Sequence, residues 1–436
     1  MIMEPFEIKR FIDFWKGDDT FRDLFLNSPS IALKNHGIHH GAESLHPFCL
    51  EQYDKGNLGL KGIQDISGLE AYRALLHQRT RQLLEVYSTK FTNFTFSSWR
   101  LRQINYFRTQ VPDEWAARNP HLPMAVELTH GCSMSCPFCA GSTGYLDSNI
   151  PKFHEYINQF SSLLRRIKQF LGLKKSPGML YNFTEPFDSP DYEDFLRKAK
   201  SILKGNIQTT TAAWFRDVPR TRAFLKLAHD LNIPYSRFSI NSKKLFHKCM
   251  EAFTSQELVN VGLVYNYPQA AETYLYAAGR AKNIPSATLG SVACVTGFMV
   301  NLPLQRIQLV SPTLEIDKWP KGYRVLEEAY GLDTKDIDTF LTTCHSKHFN
   351  KVLNDNSRIR MRKDLDLVSE DGHWYLINHY RRFPVSIEEK YLFNLIIQAR
   401  TVRDILACGI SGLTSNQVFA RLSTWWANGL LDDQVP

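Results

Sequence analysis

The chain has 436 residues, 43% hydrophobic, 12% aromatic and 22% charged, with a net charge of +8. That length allows a large core and two or three domains, and the composition is that of a globular protein rather than a disordered or fibrous one. The positive surplus is too mild, beside dense charge of both signs, to imply nucleic acid; it suits an acidic peptide or a small anion.

Residues 1–120 read as a helical region. Phe11, Phe14 and Trp15 precede Gly17, and Phe21, Leu24 and Phe25 follow it, at helical spacing. Leu69–Tyr87 repeats the pattern, and Asn119-Pro120-His121-Leu122-Pro123 ends it. Residues 121–330 alternate short apolar runs with helical stretches. The expected strands are Met124–Leu128, Met179–Phe183, Ile207–Thr211, Arg237–Ile240, Val259–Val264 and Val292–Val300. Between them, Phe153–Leu171, Tyr192–Leu203 and Thr221–Leu231 read as helices. Six strand–helix units in series predict an α/β fold with a parallel sheet curled into a partial (β/α)6 barrel, whose chemistry gathers at the C-terminal ends of the strands. Residues 331–370 form a segment after the barrel. Residues 371–436 read as a small winged-helix-like domain: Trp374–Asn378 as a strand, Ser386-Ile387-Glu388-Glu389 as a capping box, a further helix start at Thr401 and Asp404, and a last helix over Asn416–Asn428 ending at Gly429.

Eight cysteines in a chain this long do not form a disulfide framework. The N-terminal stretch carries acids and lacks the apolar run of a signal peptide, and no stretch has the length of a membrane span. The expectation is a cytoplasmic protein that engages neither membrane nor nucleic acid.

Three cysteines stand together in Val126-Glu-Leu-Thr-His-Gly-Cys132-Ser-Met-Ser-Cys136-Pro-Phe-Cys139, spaced C-x3-C-x2-C. Thiolates are the usual ligands of iron–sulfur clusters, and three of them leave one iron of a cubane open to another ligand. A zinc site, with His130 as the fourth ligand, is the competing reading; zinc usually takes paired motifs, and no second C-x2-C exists.

C-x3-C-x-aromatic-C directly after the first strand of a (β/α) barrel resembles the radical S-adenosylmethionine (SAM) superfamily. The resemblance implies a [4Fe–4S] cluster on Cys132, Cys136 and Cys139, with SAM on the open iron, split by an electron into methionine and a 5′-deoxyadenosyl radical. Phe138 fills the aromatic position. Thr184-Glu185-Pro186 looks like the turn that holds the SAM amino group, with Phe-Thr in place of Gly-Gly. Ser239 and Asn241 alternate on one strand, where relatives place polar contacts to SAM, and Gly297 marks a strand that passes close to adenine or bulges.

Several pieces are similar to one branch, the epimerases that mature proteusin-type ribosomal peptides. They are Arg10–Asp23, Trp99–Asn105, Thr184–Tyr192, Leu309–Pro312 and Trp319–Tyr323. Pro137-Phe138 and Ala140 depart from that branch. The likeness implies conversion of L- to D-residues in a precursor peptide. The α-hydrogen is abstracted, and a thiol returns hydrogen from the opposite face. Cys344 occupies the donor's position in that branch, and Cys294, on a predicted core strand, is the reserve. The C-terminal domain is then expected to clamp a leader sequence through its basic, aromatic stretch His373–Phe383. Flavodoxin or ferredoxin would serve as electron donor. The alternatives are another radical SAM peptide modification (crosslinking or methylation) and an iron–sulfur DNA-binding sensor.

Overall fold

The aromatic residues of the N-terminal stretch are buried on one side of a helical layer. The computed structural model describes residues 4–432 apart from 39, 67–68, 88–90, 118, 274, 286, 288–293 and 398–399. The helices are α1 (Pro5–Gly17), α2 (Asp19–Asn27), α3 (Pro29–Asn35), α4 (His46–Asp54), α5 (Glu70–Tyr87), α6 (Phe94–Arg108) and α7 (Asp113–Ala116). Asp18 starts α2 by accepting from the Thr20 N–H. Phe11, Trp15, Phe21 and Phe25 are fully buried and share one core with Phe238, Ile240 and Phe246. The N-terminal layer therefore covers the outside of strands that come two hundred residues later.

Strands β1 (Leu122–Glu127), β2 (Ser176–Met179), β3 (Lys204–Gln208), β4 (Thr210–Thr211), β5 (Ser236–Ile240) and β6 (Val261–Tyr265) alternate with α8 (Phe153–Leu171), α9 (Tyr192–Leu203), α10 (Val218–Asp230), α11 (Lys243–Ala252) and α12 (Ser255–Leu258). β1–β2–β3 and β4–β5–β6 form parallel ladders. Only Thr209 separates β3 from β4, and its carbonyl accepts from the Arg237 N–H at 2.9 Å, which ties the two ladders together. Every residue of β1 is buried, as in a parallel sheet covered on both faces. β2 starts three residues before the expected Met179. Pro177 and Gly178 look like breakers in sequence, yet they lie inside the strand, where a Cβ on Gly178 would stand 3.2 Å from the Met124 side chain.

The sixth expected unit departs from a serial barrel. Its first residues, 292 and 293, lie outside the described set; β7 (Val295–Asn301) runs parallel to β1 rather than beside β6. β8 (Arg306–Pro312) and β9 (Tyr323–Tyr330) then extend the sheet antiparallel, giving the order β3-β2-β1-β7-β8-β9. Among the described residues between β6 and β7, the only helical turn is Gly279–Ala281. The described residues of this segment form a strap between the C-terminal end of β6 and the N-terminal end of β7. The result is a mixed α/β fold with an open parallel sheet, not a closed barrel.

α6, α8, α9 and α13 (Thr334–Cys344), with the π-helical turn His345–Phe349, cover the outer face of the six-stranded sheet. Beyond them, β10 (Arg358–Ile359) pairs with β14 (Arg400–Thr401), and β11 (Asp366–Glu370), β12 (His373–Ile377) and β13 (Arg382–Val385) form an antiparallel sheet. α14 (Ile387–Ile396), α15 (Val402–Cys408) and α16 (Ser415–Ala427) each open on a capping box. Four strands, β10 to β13, thus precede α14, and β14 lies between α14 and α15, where the sequence suggested one strand before three helices. Their separate core includes Ile359, Met361 and Leu365 as well as Leu376, Leu392 and Leu422, so the unit begins ahead of residue 371. Buried Arg362 docks it on α6, donating to the Tyr106 carbonyl at 3.2 Å and the Gly429 carbonyl at 2.8 Å. Among the described residues, no helix is long and apolar enough to cross a membrane.

Candidate active site

The loop after β1 carries the three clustered cysteines, and its path is fixed from several sides. Gly131 has φ +80°, and a Cβ there would stand 1.9 Å from the Tyr145 carbonyl oxygen, so only glycine fits. The Cys132 N–H donates to Gly144 O at 3.0 Å and the Asp147 N–H to His130 O at 2.8 Å, which closes the loop at its base. Between the first two cysteines, Ser135 takes φ +45°.

Two arginines and an aspartate hold the loop from outside. Asp188 accepts from the Ser133 N–H at 2.8 Å and from its hydroxyl, and Arg216 lies 3.6 Å from the same carboxylate. Arg280, on the strap, donates from Nε to Cys136 O and from Nη1 to Thr143 O, both at 2.9 Å, and from its own N–H to Cys139 O at 3.0 Å. A Cβ on neighbouring Gly279 would come within 2.3 Å of the Ala140 carbonyl oxygen. The strap therefore presses directly on the cysteine loop.

Beneath the loop is a cavity of about 430 Å³. Cys136, Phe138 and Cys139 form one end of its lining. β5 supplies Ser239 and Arg237 at alternate positions, as a pleated strand does, and Tyr235 precedes them. Tyr181, Thr210 and Cys294 also line it. Asn241, just past β5, reaches the loop: its Nδ2 stands 3.5 Å from the Cys136 sulfur, and its Oδ1 accepts from Asn266 Nδ2 at 3.2 Å. The structure thus gathers Phe138, Ser239 and Asn241 around the cysteines.

Thr184 and Glu185 stand outside the cavity lining but near the cysteine loop: after burial, the charge of Glu185 is among the causes that raise the Cys132 and Cys136 thiols. Both sit in the turn after β2, and neither is among the described residues lining the cavity. The buried Glu185 carboxylate accepts from the Thr211 hydroxyl, from Ala212 N–H at 2.8 Å and from Phe187 N–H at 3.2 Å. These donors staple the turn to β4 and hold the carboxylate in place, with Oε1 accepting two of the three hydrogen bonds and Oε2 one. Burial pushes the Glu185 carboxyl up to about 7.

Cys344, the expected donor, lies away from the cavity. It is 0% exposed in the core between helices and sheet, with Met124, Phe298 and Val300. Ala125, Met179 and Met299 point to the other face, which Cys294 packs against. Because side chains alternate along β1 and β7, the sheet itself separates Cys344 from the cavity. Burial pushes the Cys344 thiol up.

Arg237, Tyr181, Thr210 and Asn266 were not singled out from sequence. The signal available was polar residues at every second position in Tyr235-Ser-Arg237-Phe-Ser239-Ile-Asn241, an odd pattern for a buried strand.

All three clustered thiols are free. Burial pushes Cys132 up to about 12, and burial together with Cys139 raises Cys136. Among the described residues, no three His, Cys, Asp or Glu side chains converge as on a single metal ion. A cubane takes its thiolates at separate corners, so three thiols spread along one clamped loop fit it better than they fit zinc.

No family model matches the chain. It is 28% identical over 448 residues to the uncharacterized protein y4wI of Sinorhizobium fredii, covering 96% of this chain and 82% of that one. Among solved structures, BtrN in complex with AdoMet and 2-DOIA aligns with a TM-score of 0.33 and 13% identity, over 52% of this chain and 85% of that chain. Neither likeness fixes a family; the chemistry rests on the side chains.

Proposed function

We propose that the chain is a radical SAM enzyme that inverts residues of a ribosomally made precursor peptide. The observation that carries this reading is a clamped three-thiol loop at the C-terminal end of β1, over a cavity holding a fourth, separate thiol, Cys294. Cys132, Cys136 and Cys139 would hold a [4Fe–4S] cluster, with Phe138, Ser239 and Asn241 around its SAM. When bound, the pair supplies a carbon radical that removes a hydrogen atom from the substrate.

The chain's own part is to return hydrogen from the other side. An S–H bond is weak enough to deliver a hydrogen atom to carbon, and a buried thiol stays protonated. Burial raises Cys294. Its hydrogen passes to the substrate carbon, and the sulfur radical is restored by one electron from an external donor such as flavodoxin or ferredoxin and one proton from water. Cys294 replaces Cys344 in this role because it lines the cavity.

The C-terminal unit would grip the leader. β13 is the outer strand of its sheet, and next to it Ile387 and Tyr391 stand one turn apart on α14, 60% and 54% exposed. Lys390 lies 3.8 Å over the Trp374 ring. Arg381 and Arg382 are paired with Asp113 and Glu370, so the basic stretch is partly neutralised. Pro384 in β13 withdraws one donor from an added strand, which puts more of the grip on these side chains.

The test is reaction in heavy water, without oxygen, of the reconstituted protein with SAM, a reductant and the precursor peptide. Deuterium gained at about one per inverted residue, with matching 5′-deoxyadenosine, supports epimerisation by an exchangeable thiol. A mass change in ordinary water points instead to crosslinking or methylation. No deoxyadenosine with an intact cluster ends the radical reading.

A further inference from the structure

The cavity contains a cation that the proposed reaction does not use. Arg237 donates from Nε to Thr210 Oγ1 at 2.8 Å and from Nη2 to Tyr181 Oη at 3.4 Å, and these two hydroxyls are bonded to each other at 2.6 Å. Both partners are neutral. Among the described residues, no carboxylate forms an ion pair with this guanidinium, and Met179, Leu263 and Cys294 line the same cavity. A cation drawn into such surroundings without an anion is costly. The hydroxyls fix the plane of the group while donors remain for a ligand, and a planar fork of N–H groups matches the two oxygens of a carboxylate.

Its position separates it from the cysteine loop. Asn241, which reaches Cys136, is four residues further along the chain, roughly 13 Å in an extended strand. Cys294 shares the Arg237 end: the N–H of Leu122, the first residue of β1, donates to its carbonyl, so it sits at the N-terminal edge of the sheet.

We propose that Arg237 is a specificity-determining residue, and that the substrate carries a carboxylate which lies against it beside Cys294. On a peptide this is an aspartate or glutamate side chain, or a free C-terminus. The inference rests on the cavity being the reaction site. The test reads binding, so failure of the radical chemistry leaves it standing.

The cluster-loaded protein is titrated calorimetrically with three probes: N-acetyl-glutamate methylamide, its glutamine counterpart and N-acetylalanine. SAM is titrated separately. The expected result is that a carboxylate probe binds at least tenfold more tightly than the glutamine probe. Preference for the glutamate probe marks a side chain, and preference for N-acetylalanine marks a C-terminus. Arg237→Gln should bring the carboxylate and glutamine probes within twofold and leave SAM affinity within twofold. Arg237→Lys, which keeps the charge and loses the fork, should retain part of the preference and decides the matter if the glutamine variant does not fold. No carboxylate preference in the wild type overturns the proposal. So does a tenfold loss of SAM affinity in Arg237→Gln with the probe preference intact, since the guanidinium would then serve the SAM carboxylate.

Discussion

Cys294 and Cys344 face away from each other across the same six-stranded sheet. Cys294 lines the cavity under the cysteine loop, whereas Cys344 packs with Phe340, Leu341 and Phe349 on the helix-covered face. No rotamer change carries the Cys344 sulfur through a layer of paired strands. The two thiols therefore give opposite results. Cys294→Ala should abolish deuterium uptake in heavy water while deoxyadenosine still forms. Cys344→Ala should keep both and lower stability by about 1 kcal/mol, the cost of a small cavity in a packed core. Urea denaturation separates that stability loss from loss of chemistry. Deuterium uptake that survives Cys294→Ala removes this thiol from the reaction.

The hold on the loop predicts how readily iron is lost. Asp188 has a side chain 3% exposed and accepts from both the backbone and the hydroxyl of Ser133. Asp188→Ala strands the half-buried Ser133 N–H and removes the carboxylate beside Arg216, which keeps only its own bonds to Ser133, a cost of about 1–3 kcal/mol borne mainly by the loop. The visible absorption of the reconstituted cluster should bleach in chelator at least several-fold faster than in wild type. Arg280→Ala should act in the same direction, through the carbonyls of Cys136 and Thr143. Equal bleaching rates would mean that these anchors do not hold the loop.

Glu185 makes stability depend on pH with a definite sign. A carboxyl raised from its ordinary 4.5 to about 7 by burial binds its proton more tightly folded than unfolded. Its contribution is then most favourable below about pH 4.5 and falls as the pH rises toward 7, on the order of 3 kcal/mol in all. Glu185→Gln removes that titration. Its amide satisfies the three donors less well, so the variant starts less stable, but its unfolding free energy should change less between pH 5 and pH 8 than that of the wild type. Parallel pH slopes for the two proteins would show that the carboxyl is already ionised at pH 5.

What could be read from sequence was local. The cysteine loop follows from spacing and from Gly131, whose conformation depends on its immediate neighbours. The α14 and α15 starts follow from their capping residues, because a cap is satisfied within four residues. Pairing was not legible. β7 lies beside β1 because the strap carries it across the sheet, and nothing in its apolar run names that neighbour. The place of Cys344 was not legible for the same reason: which face of a sheet a cysteine occupies depends on register and on the layer covering it. Glu185 illustrates a third limit. Its residue type suited an ammonium ligand, and nothing local in the sequence showed that three donors of the chain itself also hold the carboxylate.

The C-terminal unit offers a test that leaves the six-stranded sheet and its cavity untouched. Ile387 and Tyr391 are large, apolar and more than half exposed, next to the outer strand β13. Exposed side chains contribute little to folding, so Ile387→Asp and Tyr391→Glu should shift unfolding by no more than about 0.5 kcal/mol each. If the leader lies along this edge, each change sets a buried anion against an apolar contact and loses most of that contact's area. Affinity for the full precursor, read by fluorescence anisotropy, should fall at least tenfold, while the core peptide without its leader binds as it does to the wild type. Lys390→Ala should weaken the same complex less and reduce its dependence on salt, since the charge lies over Trp374 at the surface. Undiminished precursor affinity in the Ile387 and Tyr391 variants would make this face a solvent-exposed surface and move the search for the leader site to the cavity between Leu314 and Tyr380, where the unit meets the rest of the chain.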